Sequence, residues 1–80
     1  MKISYATKGT CSKQIDITVE NGIIEDIKFF GGCNGNLKGI AALCKGKKPE
    51  EIIPVIKGIT CGMKTTSCPD QLAKALESML

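Results

Sequence analysis

The hydrophobic residues change period near the middle of the chain, and that change sets the fold class. Ile3, Tyr5 and Thr7 alternate with Ser4, Ala6 and Lys8. Ile15, Ile17 and Val19 alternate with Asp16, Thr18 and Glu20. A period of two belongs to half-buried strands. Asn21-Gly22 lies between two apolar runs, and this dipeptide supplies the positive φ angles of a tight hairpin turn. A third strand is expected from Ile23 to Phe30. Beyond it the period becomes helical: Leu37, Ile40, Ala41 and Cys44 share one face, with Gly46 as the stop. Pro49, Glu50 and Glu51 suit the first turn of a second helix. Pro54 shortens or kinks that helix because it cannot donate to the preceding turn, and Gly58 ends it. The last helix is expected to start at Pro69 and run to the terminus. Leu72, Leu76 and Met79 form its apolar stripe, with Ala73 and Leu80 beside it. The prediction is an α+β fold: a three-stranded antiparallel meander followed by three helices packed on one sheet face.

Length limits what such a fold can bury. Eighty residues make one domain, which buries roughly 60–65% of the surface its unfolded form exposes. The core is thin, and chains of this size often carry a metal or disulfide staple. With 42% hydrophobic and 24% charged residues the chain is expected to be ordered. The net charge is +3, and Lys45, Lys47 and Lys48 form the only basic cluster. That cluster reads as a solvated helix end complementing the helix dipole, with an anion contact as the alternative. Aromatics are limited to Tyr5, Phe29 and Phe30, too few for a stacking platform, so no nucleic-acid partner is expected. The N-terminal MKISYATKG has no apolar core of signal-peptide length. No run approaches the ~20 apolar residues of a membrane span. A cytoplasmic location away from the membrane is therefore expected. There thiols stay reduced, and clustered cysteines mean metal or catalysis more often than disulfides.

The cysteines are Cys11, Cys33, Cys44, Cys61 and Cys68, and there is no histidine. Cys11 lies in Gly9-Thr10-Cys11-Ser12, between the first two strands. Cys33 lies in Gly31-Gly32-Cys33-Asn34-Gly35-Asn36, ahead of the first helix. Cys61 and Cys68 flank Gly62-Met63-Lys64-Thr65-Thr66-Ser67, ahead of the last helix. All four are in glycine- or serine-rich loops at element ends, where function concentrates on a rigid scaffold. Cys68 is expected at or beside the N-cap of the last helix, and Cys33 a few residues before the first helix. Amide donors and the helix dipole favour a thiolate in such positions. Cys44 differs, since it completes the apolar face of the first helix and reads as a small core hydrophobe. Without histidine, a metal site has to be thiolate-rich. The spacing is no zinc ribbon, as there is no C-x-x-C. Ordinary burial of the loop cysteines or a structural disulfide are the plainer alternatives.

Thr66-Ser67-Cys68-Pro69-Asp70 spells the motif of the TSCPD domain family. Cys61-Gly62-Met63-Lys64 and the glycine-rich segment around Cys33 also resemble its short, stand-alone members, and the resemblance covers nearly the whole chain. It implies that Cys11, Cys33, Cys61 and Cys68 are the recurring family cysteines and Cys44 the extra one. Related segments lie at the C-terminus of some cobalamin-dependent ribonucleotide reductases, so short members are sometimes labelled ribonucleoside-diphosphate reductase. Eighty residues cannot build that barrel enzyme, and the resemblance implies an accessory domain at most. The chain is more distantly similar to U-type iron–sulfur cluster scaffold proteins, whose fold the predicted order resembles. Cys11, Cys33 and Cys68 would match the three scaffold cysteines, whereas Cys61 has no clear counterpart. The scaffold's aspartate after the first cysteine and its histidine beside the last are absent here.

The first expectation is a metal-binding module using Cys11, Cys33, Cys61 and Cys68 for zinc or an iron–sulfur cluster, with zinc favoured. It would serve a protein partner such as a reductase or a cluster-transfer protein. The second is a thiol-redox protein relaying electrons through Cys61 and Cys68. The third is a plain interaction domain. Independent turnover is not expected, because there is no histidine and no carboxylate pair that spacing alone would bring together. Gly31-Gly32-Cys33-Asn34-Gly35-Asn36 before a helix could cradle an anion, but carries no phosphate-binding glycine motif. Asp70 reads as a favourable charge at a helix start, with a role next to the cysteines as the alternative.

Overall fold

Alternation produces three strands in the computed structural model, which describes residues 1–10, 12–32 and 34–80. They are β1 (Lys2–Ala6), β2 (Ser12–Glu20) and β3 (Ile23–Gly31), in the antiparallel order β1-β2-β3. Asn21 and Gly22 have φ of 53° and 74°, between the paired residues Glu20 and Ile23. Both signs match the two-residue hairpin turn that the dipeptide favours. A Cβ on Gly22 would meet nothing within 4 Å. Gly22→Ala therefore carries only the left-handed backbone penalty, expected at about 1 kcal/mol in urea denaturation. Gly9 also has positive φ, 73°, but a Cβ there would come 3.1 Å from Cγ2 of Thr66. Gly9→Ala is expected to cost more than Gly22→Ala, because strain and contact add.

Two irregularities in β2–β3 pairing decide which side chains face inward. Val19 pairs with Ile24 and Thr18 with Asp26, so Glu25 is the extra residue. This bulge lets Ile24 and Ile27, three positions apart, both face the core. At the other end Ser12 pairs with Gly31 and Gln14 with Phe30, leaving Lys13 extra. Strict alternation with Ile15 would turn Lys13 inward. The bulge instead leaves Lys13 exposed and buries Ser12.

The helices are α1 (Asn34–Cys44), α2 (Pro49–Ile56) and α3 (Cys68–Ser78). The α1 helix begins three residues before Leu37, the first residue of its apolar face. Its C-terminal turn is tied to the sheet: the Gly46 N–H donates to the Ile24 carbonyl, and the Ile24 N–H to the Lys47 carbonyl. Lys45, Lys47 and Lys48 are exposed there. Pro49 opens α2, Glu50 and Glu51 lie in its first turn, and the helix ends two residues past Pro54. The expected start of α3 at Pro69 is corrected by one residue. Ser67 is extended and caps the helix, so Cys68 is its first residue and Pro69 its second. Proline is tolerated there because first-turn amides have no intrahelical acceptor. Nor does α3 reach the terminus. Met79 is its C-cap, and Leu80, expected beside the stripe, lies beyond the last turn and is exposed.

Ile15, Ile17, Ile24 and Ile27 of the sheet meet Cys44 of α1 and Leu72, Ala75 and Leu76 of α3 in one cluster. Ile52, Ile53 and Ile56 of α2 pack against it. The opposite sheet face is polar. There Gln14 and Ser4 donate hydrogen bonds to Asp16 and hold its carboxyl below the usual carboxylate value, assisted by Lys2 and Lys28. The result is an α+β arrangement with one buried sheet face. No helix among the described residues is long and apolar enough to cross a membrane.

Candidate functional site

The sheet's β1–β2 loop and the starts of α1 and α3 fall at one end of the fold. The segment that holds them together is Thr66-Ser67-Cys68-Pro69-Asp70-Gln71, most of it buried although polar. Ser67 Oγ accepts from the Asp70 N–H at 3.1 Å and donates to the Ile59 carbonyl at 2.6 Å. It thus caps α3 and anchors the preceding loop in one contact. Asp70 Oδ1 accepts from the Gly58 N–H at 2.7 Å, and Oδ2 accepts from the Thr66 hydroxyl. Lys74 lies 3.4 Å from Oδ2, one turn along α3. The Thr66 and Gly58 donors, followed by the Lys74 charge, hold the Asp70 carboxyl below the usual carboxylate value against the opposing effect of burial. Gln71 Nε2 donates to Thr66 Oγ1 at 3.0 Å, while its Oε1 accepts from the Lys8 N–H at 3.2 Å. No buried side-chain nitrogen or oxygen among the described residues lacks a partner.

These contacts form a polar clasp. Asp70 and Ser67 bind the 57–66 loop, and Gln71 binds the β1–β2 loop, so both are fixed to the N-terminus of α3. Within the 57–66 loop, the Cys61 N–H donates to the Thr66 carbonyl at 3.2 Å and the Lys64 N–H to the Cys61 carbonyl at 3.1 Å. Asp70 therefore does more than complement a helix dipole.

Cys68, half-buried, faces Ser12: its Sγ lies 3.2 Å from Ser12 Oγ. The Lys13 bulge makes this contact possible, since it turns Ser12 inward. Thr10 Oγ1 lies 3.2 Å from the same Ser12 hydroxyl. Cys61 is exposed. Both Cys61 and Cys68 line a cavity of about 230 Å³, together with Thr10, Asn36, Thr60 and Lys64. Cys11 and Cys33, the other two candidate ligands, lie outside the described residues. Thr10 and Ser12, which flank position 11 in sequence, are described at this end. Among the described residues no three potential ligands are grouped closely enough to hold a metal ion.

Cys44 takes the place its spacing predicts, buried among Ile24, Ile27 and Leu76. Burial alone pushes its thiol pKa up. In folded protein stripped of metal, iodoacetamide is expected to modify Cys61 well before Cys44, with Cys44 labelled at the rate of global unfolding. Peptide mass mapping of a labelling time course checks this order. Sequence reading missed the roles of Ser12, Thr66 and Gln71. Only the concentration of hydroxyl and amide side chains around the cysteines hinted at them.

The family model of the TSCPD domain matches residues 1–80, the full length of the sequence. The chain belongs to the TSCPD domain family. No characterised protein and no solved structure was found to match it. In this member the motif's residues divide their work: Thr66, Ser67 and Asp70 build the clasp, Pro69 occupies the first turn, and Cys68 is presented beside Ser12 and the cavity.

Proposed function

We propose that this TSCPD domain is a thiolate metal-binding module, with Cys11, Cys33, Cys61 and Cys68 holding zinc or an iron–sulfur cluster and zinc favoured. The observation that carries the reading is the clasp. Part-buried polar contacts hold the loop of Cys61 and the β1–β2 loop against the first turn of α3, where Cys68 lines the same cavity as Cys61. A fold that spends its buried hydrogen bonds on aligning cysteine-bearing loops has a use for the thiols together.

The donor chemistry fits. Thiolates are soft ligands suited to zinc and iron–sulfur centres, and with no histidine in the chain a borderline nitrogen site is disfavoured. Four thiolates around a divalent zinc ion leave two net negative charges. The N-terminus of α3 and the Lys64 side chain at the cavity both offset that charge. A closed four-thiolate zinc site would be structural, since no position is open for water. The partner in this reading is a reductase-type or cluster-transfer protein for which the domain is an accessory.

Cobalt(II) titration under anaerobic, reducing conditions tests the ligand set. One cobalt per chain with intense thiolate charge-transfer absorption is expected. Serine at Cys11, Cys33, Cys61 or Cys68 should weaken that absorption, and Cys44→Ser should not. Unchanged absorption in Cys61→Ser would make the site three-thiolate with an open position.

The shared cavity of Cys61 and Cys68 also supports a second reading, a dithiol relay. Its oxidation to a disulfide would release two electrons and two protons to a partner's disulfide. A reversible Cys61–Cys68 disulfide in the absence of bound metal would favour it.

A further inference from the structure

Charge is distributed unevenly between the two ends of this fold. Residues 7–10, 12–13, 31–32, 34–38 and 57–69, the described residues of the loop end, contain Lys8, Lys13, Lys38, Lys57 and Lys64 and no carboxylate. Asp70 follows immediately, but it is buried and committed to Gly58, Thr66 and Lys74. The exposed carboxylates are elsewhere. Glu20, Glu25 and Asp26 flank the hairpin, and Glu50 and Glu51 open α2. Glu77 pairs with Lys57 at 2.9 Å. Lys8, Lys13, Lys38 and Lys64 are exposed on the loop end.

The same end displays apolar side chains. Met63, at the tip of the turn closed by Cys61 and Lys64, is fully exposed at 103%, and Ile59 is 44% exposed. The turn is tied back to the fold: Cys61 is bonded to Thr66 and Thr66 to the clasp. An exposed methionine on a hydrogen-bonded turn, at the same end as four exposed lysines, has the composition of a protein contact: adaptable thioether and surrounding charge.

We infer that the loop end is a docking surface for an acidic protein, one whose carboxylates meet Lys8, Lys13, Lys38 and Lys64 around an apolar pocket for Met63. Charge complementarity selects this occupant. A second copy of the chain would bring the same lysines face to face. Nucleic acid would satisfy the lysines but leave Met63 and Ile59 against phosphates, and Phe30, the exposed ring next to this end, is already covered by the Lys28 ammonium at 5.3 Å. The surface does not depend on what the thiols bind, and so stands or falls separately from metal binding.

The test is amide NMR of the reduced protein, with and without zinc, titrated with a short synthetic peptide of glutamate, aspartate and leucine. Perturbations are expected at Lys8, Thr10, Lys38 and residues 59–64, and salt should weaken binding. Met63→Ser should reduce affinity about tenfold, or about 1.4 kcal/mol. Combined Lys8→Glu and Lys13→Glu should reduce it at least as much. Lys47→Glu with Lys48→Glu, at the far end of α1, should leave it unchanged and controls for bulk charge. Three results would overturn the inference: no binding of the peptide, equal binding of all-glutamate peptide with a silent Met63→Ser, or tighter binding of oligothymidylate at the same face.

Discussion

Asp70→Ala is expected to destabilise the domain by about 3 kcal/mol in urea denaturation, the largest effect of any single substitution outside the apolar core. Hydrogen bonds to a charged group are each worth about 1.5–3 kcal/mol, and stranded buried donors cost a further increment. Removing this carboxylate strands the Gly58 N–H and the Thr66 hydroxyl together. At roughly 0.05–0.15 kcal/mol per residue the whole domain has about 4–12 kcal/mol to lose. Asp70→Asn keeps an oxygen for Gly58 but presents an amide where Thr66 needs an acceptor, and should cost about half as much. The pH dependence carries a definite sign. The folded carboxyl binds its proton less readily than the unfolded one. Its contribution is therefore fully present above the ordinary carboxylate value and is lost as pH falls through the depressed folded value. Asp16 titrates in the same direction on the open sheet face, so the wild-type acid limb contains both groups. The difference between wild type and Asp70→Asn isolates the clasp: it should be constant near neutral pH and shrink on acidification. A difference that stays constant to low pH would mean the Asp70 charge contributes nothing.

The second large effect is on stability through the proposed metal. A ligand that binds only the folded state stabilises it by about 4 kcal/mol at a thousand times its dissociation constant. For a domain of this size each kcal/mol moves the melting temperature by about 4–8 °C. Saturating zinc should therefore raise the melting temperature of chelator-stripped protein by about 15–30 °C. Small zinc-finger peptides, with apparent binding energies of about 10–16 kcal/mol, mark the upper limit. They are unfolded without metal. This domain differs because Ile15, Ile17, Ile24, Leu72 and Leu76 form a fully buried core and the clasp is satisfied by protein groups alone. Stripped protein should consequently remain folded, with the far-ultraviolet spectrum of the loaded form and a lower midpoint. The variant with both Cys33 and Cys68 changed to serine should show no zinc-dependent shift, whereas Cys44→Ser should show all of it on a lower baseline.

The order of elements was legible because each follows from a local cause: alternation for β2, Asn21-Gly22 for the hairpin, helical spacing for α1. Cys44 was separable from the other cysteines for the same reason, as it falls on the periodic face of a helix. What could not be read were features that depend on distant partners. The Glu25 and Lys13 bulges arise from pairing between β2 and β3, and no residue type marks either position. The start of α3 fell one residue early because Ser67, rather than Cys68, has a hydroxyl to spend on the Asp70 amide. Asp70 looked like a dipole partner since its true acceptor role requires Gly58 and Thr66 to fold back onto it. The clasp is thus a tertiary object written in residues that, taken singly, resemble ordinary loop and cap chemistry.

Elemental analysis with an ultraviolet–visible spectrum, on protein purified without added metal or a histidine tag, tests the thiolate site most directly. About one zinc per chain, absent from the doubly substituted Cys33→Ser and Cys68→Ser variant and retained by Cys44→Ser, is the predicted result. Iron with charge-transfer absorption on the same cysteines would keep the site and assign it a cluster. Protein handled anaerobically with its thiols reduced that contains neither metal would contradict the account.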